Sequence, residues 1–241
     1  MLIRITNRCR MGCRHCCIEG SSCDGAHMSA NVFSDCLKFI RRIGDPIVMI
    51  SGGEPFEHPR VFSFAAQAHR EGFKVLLLSN GMFSSDPEML KRIERSAFTI
   101  QVTSDPRYYP KEIDVEALKG LPQVKVERNI RSIFPCARTV KNQIVASRLS
   151  PACFNLRSAV RKLKDLRLAR TELMLHGFFC TPSVNIDGSI RLGEADTCHR
   201  IGNVKDSPNK ILCGILDARC GRCGMADNLS DRQREALGGV I

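Results

Sequence analysis

Five apolar runs constrain this chain more than any other feature: LIRIT (Leu2 to Thr6), IVMIS (Ile47 to Ser51), KVLLLS (Lys74 to Ser79), FTIQVT (Phe98 to Thr103) and VKVERNI (Val124 to Ile130). Each is strand-sized and aliphatic, and helix-like segments separate them. Helices are expected from the cap Ser29 to Ile43, from Arg60 to Glu71, from Pro87 to Arg95 and around Val115 to Leu118. In the first, Val32, Phe33, Cys36, Leu37 and Ile40 fall on one face. A basic amphipathic helix near Asn155 to Leu168 precedes a last strand around Leu173 to Phe179. Apolar strands alternating with helices make a parallel sheet covered on both faces. The expected fold class is therefore α/β, a partial (β/α)6 TIM-like barrel of about six units, whose active face is built from the loops that follow the strands.

The punctuation changes after Cys180. Two alternating strands, Ser183 to Ile186 and Ser189 to Leu192, flank Asp187-Gly188, the dipeptide of a two-residue type I′ hairpin. Ser207-Pro208 then opens a helix. The expected division is a barrel over residues 1–179 and a small hairpin-plus-helix module over residues 180–241.

Four cysteines crowd the loop after the first strand, in TNRCRMGCRHCC, and Cys9, Cys13 and Cys16 read CxxxCxxC. No apolar run reaches transmembrane length and no secretory signal is visible, so the expected location is cytoplasmic, with no membrane partner. Thirteen cysteines, an odd number, in a reducing compartment argue against a disulfide framework. Cys17, Cys23, Cys36, Cys136 and Cys153 lack ligand-like company and read as small buried hydrophobes. His58 and His69 read as surface or satisfied core histidines. The CxxxCxxC set suits either of two sites. One is zinc, with a fourth ligand from Cys17, His15 or elsewhere; the other is an iron–sulfur cluster with one open iron.

The set Cys9, Cys13 and Cys16 after the first strand, with Gly52-Gly53-Glu54-Pro55 after the second, resembles the radical S-adenosylmethionine superfamily. The resemblance covers about residues 1 to 180. It implies that the three cysteines hold a 4Fe-4S cluster whose fourth iron chelates S-adenosylmethionine, and that Gly52, Gly53, Glu54 and Pro55 form the segment contacting the cofactor amine. It further implies reductive cleavage to a 5′-deoxyadenosyl radical that abstracts a hydrogen atom from substrate. The residue before the third cysteine is usually aromatic in that family; here it is His15, which can still stack on adenine. The two glycines are expected to let the backbone approach a ligand, and Glu54 to meet an ammonium group. Asn80, in the loop after the third strand, joins the expected cofactor rim. Ser104 and Asp105 are candidates for ribose or carboxylate oxygens, and Arg128 for the cofactor carboxylate.

The C-terminal region is similar to the SPASM/twitch extension of the same superfamily. That resemblance implies an auxiliary 4Fe-4S cluster on Cys180, Cys198, Cys220 and Cys223. Cys213 is a rival for one place, although core packing beside Ile211, Leu212, Ile215 and Leu216 accounts for it equally well. The sequence ends before a second auxiliary cluster's cysteines, which favours the one-cluster twitch form. His199, next to Cys198, is a candidate catalytic base.

The expected activity is oxidation or modification of a small-molecule or peptide substrate with help from the auxiliary cluster, supplied with electrons by a donor such as flavodoxin or ferredoxin. The sequence opens at its first strand, which reads as lacking an upstream peptide-recognition domain and leans toward a small substrate. The alternative is an activase that installs a glycyl radical on a partner protein. The net charge is +11, and residues 127 to 170 hold eleven Lys/Arg against Glu127 and Asp165. That patch suits an acidic substrate or partner, or is a solvated face. With only Phe134 and Phe154 as aromatics, it offers little for base stacking, and nucleic acid is disfavoured.

Overall fold

The computed structural model describes residues 1–13, 16, 18, 25–106, 108–127, 165–168, 181–193 and 198–217. Among these, eight strands form one sheet in the order β5-β4-β3-β2-β1-β6-β7-β8. The strands are β1 (Leu2–Arg4), β2 (Ile47–Ser51), β3 (Lys74–Ser79), β4 (Thr99–Thr103), β5 (Val124–Glu127), β6 (Pro182–Val184), β7 (Ser189–Leu192) and β8 (Arg200–Asn203). β1 to β5 pair in sequence order and in parallel. Helices α1 (Ala30–Arg42), α2 (Val61–Arg70), α3 (Pro87–Glu94) and α4 (Val115–Lys119) fill the crossovers, and α5 (Pro208–Asp217) follows β8. Crossovers of one hand between strands that never reverse their order put every helix on the same side, which is how a barrel wall grows. The expected α/β class, with a mostly parallel sheet, is the one observed.

The strand residues divide accordingly. Val48 and Ile50, Val75 and Leu77, and Ile100 and Val102 are buried beneath the helices. Their alternates Met49, Ser51, Leu76, Leu78, Gln101 and Thr103 are half-buried on the other face. Phe33, Leu37 and Ile40 of α1 and Phe64, Ala65 and Ala68 of α2 complete the core, with the Phe33 and Phe64 rings stacked at 4.2 Å between centroids. Ser29 caps α1 as its sequence suggests, accepting from the Val32 N–H. Cys36 is fully buried in that helix, in keeping with a small apolar role. His58 is buried and satisfied: Nδ1 accepts from the Arg60 N–H, so Nε2 carries the proton and donates to the Met28 carbonyl. Burial lowers its proton affinity. His69 is exposed.

The C-terminal segment extends the sheet. β6 pairs with β1 in parallel (Leu2 opposite Ser183, Ile3 opposite Val184), and β7 and β8 follow antiparallel. Arg42 at the end of α1 donates to the Val204 and Asp206 carbonyls, tying the β8–α5 connection to the barrel. The hairpin differs from the two-residue turn expected. Gly188 N–H donates to Asn185 O, and Asn185 N–H to Ser189 O, so three residues form the loop and Gly188 takes φ of 79°. The reason is local: the Asp187 carboxylate accepts both the backbone N–H and the hydroxyl of Ser189. Cys213 is exposed on α5, while Ile211, Leu212 and Ile215 supply its packing, so core packing does not account for that cysteine. The expected helix from Asn155 is described only at Asp165 to Leu168, where Leu166 is buried, and the expected strand around Leu173 to Phe179 lies outside the described residues.

Candidate active site

Parallel strands place their C-terminal loops on one rim, and the backbone shows how tightly they are joined. The β1–β2 ladder continues past both strands: Ile5 N–H donates to Ser51 O, Gly53 N–H to Thr6 O at 2.7 Å, and Glu54 N–H to Arg8 O at 2.8 Å. The two glycines make this possible. A Cβ at Gly52 would lie 2.4 Å from Thr6 O, and one at Gly53 would lie 2.3 Å from Arg8 O. A close approach that requires glycine is thus made to the chain's own cysteine-bearing loop.

Glu54 is buried at this seam. One carboxylate oxygen accepts from Phe56 N–H and from the Ser79 hydroxyl at 2.8 Å; the other accepts from Asn80 N–H at 2.9 Å. It therefore caps the short 3₁₀ turn Pro55–Glu57 and ties that turn to the end of β3. Burial pushes its carboxyl up to about 7, against the pull of the three hydrogen bonds. Asn80, also buried, reaches across with its side-chain N–H to Cys9 Sγ at 3.4 Å.

Cys9 is buried, and Cys13 and Cys16 are half-buried. Burial, helped by Glu54 and Cys16, raises the Cys9 thiol to about 11; burial, helped by Cys9 and Cys16, raises the Cys13 thiol to about 12. That mutual influence sets the three sulfurs in one neighbourhood. Among the described residues no three His, Cys, Asp or Glu side chains converge on a single ion position. A cubane cluster does not ask for that, because each thiolate binds a different iron and the sulfurs stand apart. The donor set fits such a cluster: three thiols from one loop, not paired as disulfides, one already receiving an amide N–H. Iron binding there has to displace the thiol protons.

Two contributors were not legible in the sequence. Glu57 accepts from Arg10 through both its backbone N–H, at 3.0 Å, and its side chain, and it ion-pairs with Arg8 at 3.2 Å, so it clasps the residues either side of Cys9. Its only signal was an acid three positions after Glu54. Tyr109 sits where Cys13, Glu54 and Cys9 all act on its phenol; burial first, then Cys13, raises its proton affinity although Thr103 is a hydrogen-bond partner. It comes from the loop after β4, where Asp105 O accepts the Tyr108 and Tyr109 N–H groups. Ser104 stands at that strand end, its N–H on Glu127 O, with Asp105 buried beside it.

Cys198 and His199 lie elsewhere. β6 runs parallel to β1 and β7 runs back, so the segment joining β7 to β8 stands at the N-terminal end of the parallel strands, opposite the Cys9 rim. The hydrogen bond from Leu192 N–H to His199 O, with Leu192 paired to Pro182, fixes that level. Cys198 is buried and its carbonyl accepts from Arg191; His199 Nε2 is buried without a hydrogen-bond partner among the described residues. His15, Arg128, Cys180, Cys220 and Cys223 lie outside the described residues, as does nearly all of the basic segment. No helix among the described residues is long and apolar enough to cross a membrane.

This rim lies within a stretch that resembles known proteins. Residues 3–117 match the Radical SAM superfamily. The AdoMet-dependent heme synthase of Methanosarcina barkeri is 30% identical over 90 residues, 37% of this chain and 26% of that protein. The AdoMet-dependent heme synthase of Nitratidesulfovibrio vulgaris is 26% identical over 137 residues, 54% of this chain and 34% of that protein. The chain thus spans about a quarter to a third of the length of the curated relatives it matches. Among solved structures, anSMEcpe with bound AdoMet aligns with TM-score 0.52 at 16% identity, covering 88% of this chain and 79% of that one. BtrN in complex with AdoMet and 2-DOIA aligns with TM-score 0.52 at 11% identity, covering 99% and 85%. At these identities the likeness is one of fold.

Proposed function

We propose, from the match of residues 3–117 to the Radical SAM superfamily, that this chain is an oxidising radical S-adenosylmethionine enzyme acting on an acidic small molecule or peptide. Residues 1–179 supply the barrel and residues 180–241 a twitch-like module. The observation that carries this reading is the joining of Cys9, Glu54 and Asn80 across three loops at one rim, with Cys13 and Cys16 on the same loop as Cys9. A 4Fe-4S cluster on Cys9, Cys13 and Cys16 with S-adenosylmethionine would supply a 5′-deoxyadenosyl radical for hydrogen abstraction.

The protein's own residues define the rest. Glu57 holds Arg8 and Arg10, and Gly53 and Glu54 hold the loop backbone, so Cys9 stands in a fixed frame. His15, the Gly52 to Pro55 segment, Ser104, Asp105 and Arg128 remain our candidates for cofactor contacts, and Tyr109 joins them. The half-buried face of Met49, Leu76, Leu78, Gln101 and Thr103 leads from this rim toward the end where Cys198 stands. Five strand residues span about 15 Å, so a substrate on that face lies between the radical site and an auxiliary cluster on Cys180, Cys198, Cys220 and Cys223. His199, whose buried Nε2 has no hydrogen-bond partner among the described residues, is our candidate for taking the substrate proton lost in oxidation. A donor such as flavodoxin or ferredoxin supplies the electron, in a cytoplasmic setting. The named activity of the curated relatives favours a heme precursor as the specific substrate. An acidic molecule of that kind would match the positive segment 127–170.

Anaerobic reconstitution followed by reduction with S-adenosylmethionine tests the reading. Expected are about eight irons per chain for two 4Fe-4S clusters and release of 5′-deoxyadenosine. Changing Cys9, Cys13 and Cys16 to alanine should halve the iron and abolish cleavage. Cleavage that survives the triple change refutes the assignment. Deuterium passing into 5′-deoxyadenosine from a labelled heme precursor, a peptide or neither identifies the substrate class.

A further inference from the structure

The sulfur of Cys9 is buried where the three loops meet. Two N–H groups point at it: the Asn80 carboxamide at 3.4 Å and the Met11 backbone at 3.5 Å. Asn80 has no freedom to turn away. Its backbone N–H is held by Glu54, and its side-chain oxygen accepts from Met82 N–H at 3.0 Å. That last bond fixes the amide's orientation. A flipped carboxamide would set its NH2 against the Met82 N–H and its oxygen against the sulfur, losing two hydrogen bonds and gaining two repulsions.

We infer that Asn80 is a potential-setting residue: its side-chain N–H donates to the Cys9 sulfur of the metal-bound site and makes that site easier to reduce. The inference rests on the reading of Cys9, Cys13 and Cys16 as cluster ligands. A thiolate bound to iron is a stronger acceptor than the neutral thiol, so the contact gains charge assistance once metal replaces the proton. Hydrogen bonds to ligand sulfurs are among the features that set cluster potentials. The donor favours the more negative, one-electron-reduced state over the oxidised one, so its removal disfavours uptake of the electron from the external donor. Asn80 neither gains nor loses a proton in this step. Because the site is buried, solvent cannot replace the lost donor.

The test follows the paramagnetic signal of the reduced, reconstituted full chain during a redox titration, using the signal that Cys13→Ala removes. Asn80→Ala and Asn80→Asp should both shift the equilibrium toward the oxidised form by about tenfold at a fixed poise, equivalent to about 59 mV for one electron. Asn80→Asp should shift it further, because it keeps the acceptor for Met82 N–H but faces the sulfur with a carboxylate. Unchanged potentials in both variants overturn the inference. Wild-type protein labelled with 15N-asparagine covers the case in which neither variant assembles: pulsed electron paramagnetic resonance should then show an amide nitrogen coupled to the cluster. A cluster signal without that coupling overturns the inference alone. Absence of the cluster signal itself overturns the underlying reading, and the inference with it.

Discussion

Glu54 gives this fold a stability that depends on pH in a direction opposite to most carboxylates. Its carboxyl rises from an ordinary 4.5 to about 7 because burial disfavours the charge more than Ser79, Asn80 and Phe56 stabilise it. The folded state therefore binds more protons than the unfolded chain between those values, and stability must fall as pH rises through the window. The contribution is complete below pH 4.5 and lost above pH 7. At about 1.4 kcal/mol per tenfold change in proton affinity, the displacement is worth about 3 kcal/mol. Glu54→Gln removes the titration but sets an NH2 against one of the three donors, at a pH-independent cost of about 1–3 kcal/mol. Urea unfolding of the metal-free, reduced protein should thus show the variant less stable at pH 5. By pH 8 its deficit should have shrunk or reversed, a relative movement of roughly 1 M in the urea midpoint for m of about 3 kcal/mol/M. Parallel pH profiles for the two proteins would refute the assignment of a neutralised carboxyl at the seam.

Gly53→Ala should cost at least about 2 kcal/mol, since its Cβ would meet the Arg8 carbonyl at 2.3 Å and backbone on both sides must yield; wild-type thermal stability and iron content would contradict this. Cys213 should alkylate readily in the native chain while Cys36, buried and with its thiol held protonated, stays unreactive until unfolding; protection of Cys213 only after reconstitution would instead make it an auxiliary ligand. His199→Ala should keep both clusters and substrate-dependent 5′-deoxyadenosine yet form little oxidised product, and full turnover would remove its role as base. If residues 127–170 recruit an acidic substrate, KM should rise with salt as the screening length shortens to about 10 Å near 0.1 M. Arg161→Glu with Lys164→Glu should mimic that effect, and an unchanged KM in both tests would leave the segment a solvated face.

The sequence alone determined β1 to β5, the helices between them and their order, but not β8 (Arg200–Asn203). Apolar runs such as KVLLLS have strand length, Ser29 and Pro87 mark helix starts, and a parallel sheet is the packing that buries strands alternating with helices. It also determined which loops matter, because CxxxCxxC and Gly52 to Pro55 both follow strands, and strand ends share a rim. Spacing along the chain could not reveal what those residues touch. That Gly53 is glycine because Arg8 O approaches within hydrogen-bonding range of its neighbour was decided by the β1–β2 register. Glu57 and Tyr109 became site residues because short turns after β2 and β4 bend them toward Cys9 and Cys13, contacts remote in sequence. Strand polarity placed Cys198 and His199 at the far end from Cys9: β6 joins β1 in parallel, and which edge of a sheet a later hairpin takes is settled by tertiary packing, to which local pattern is blind.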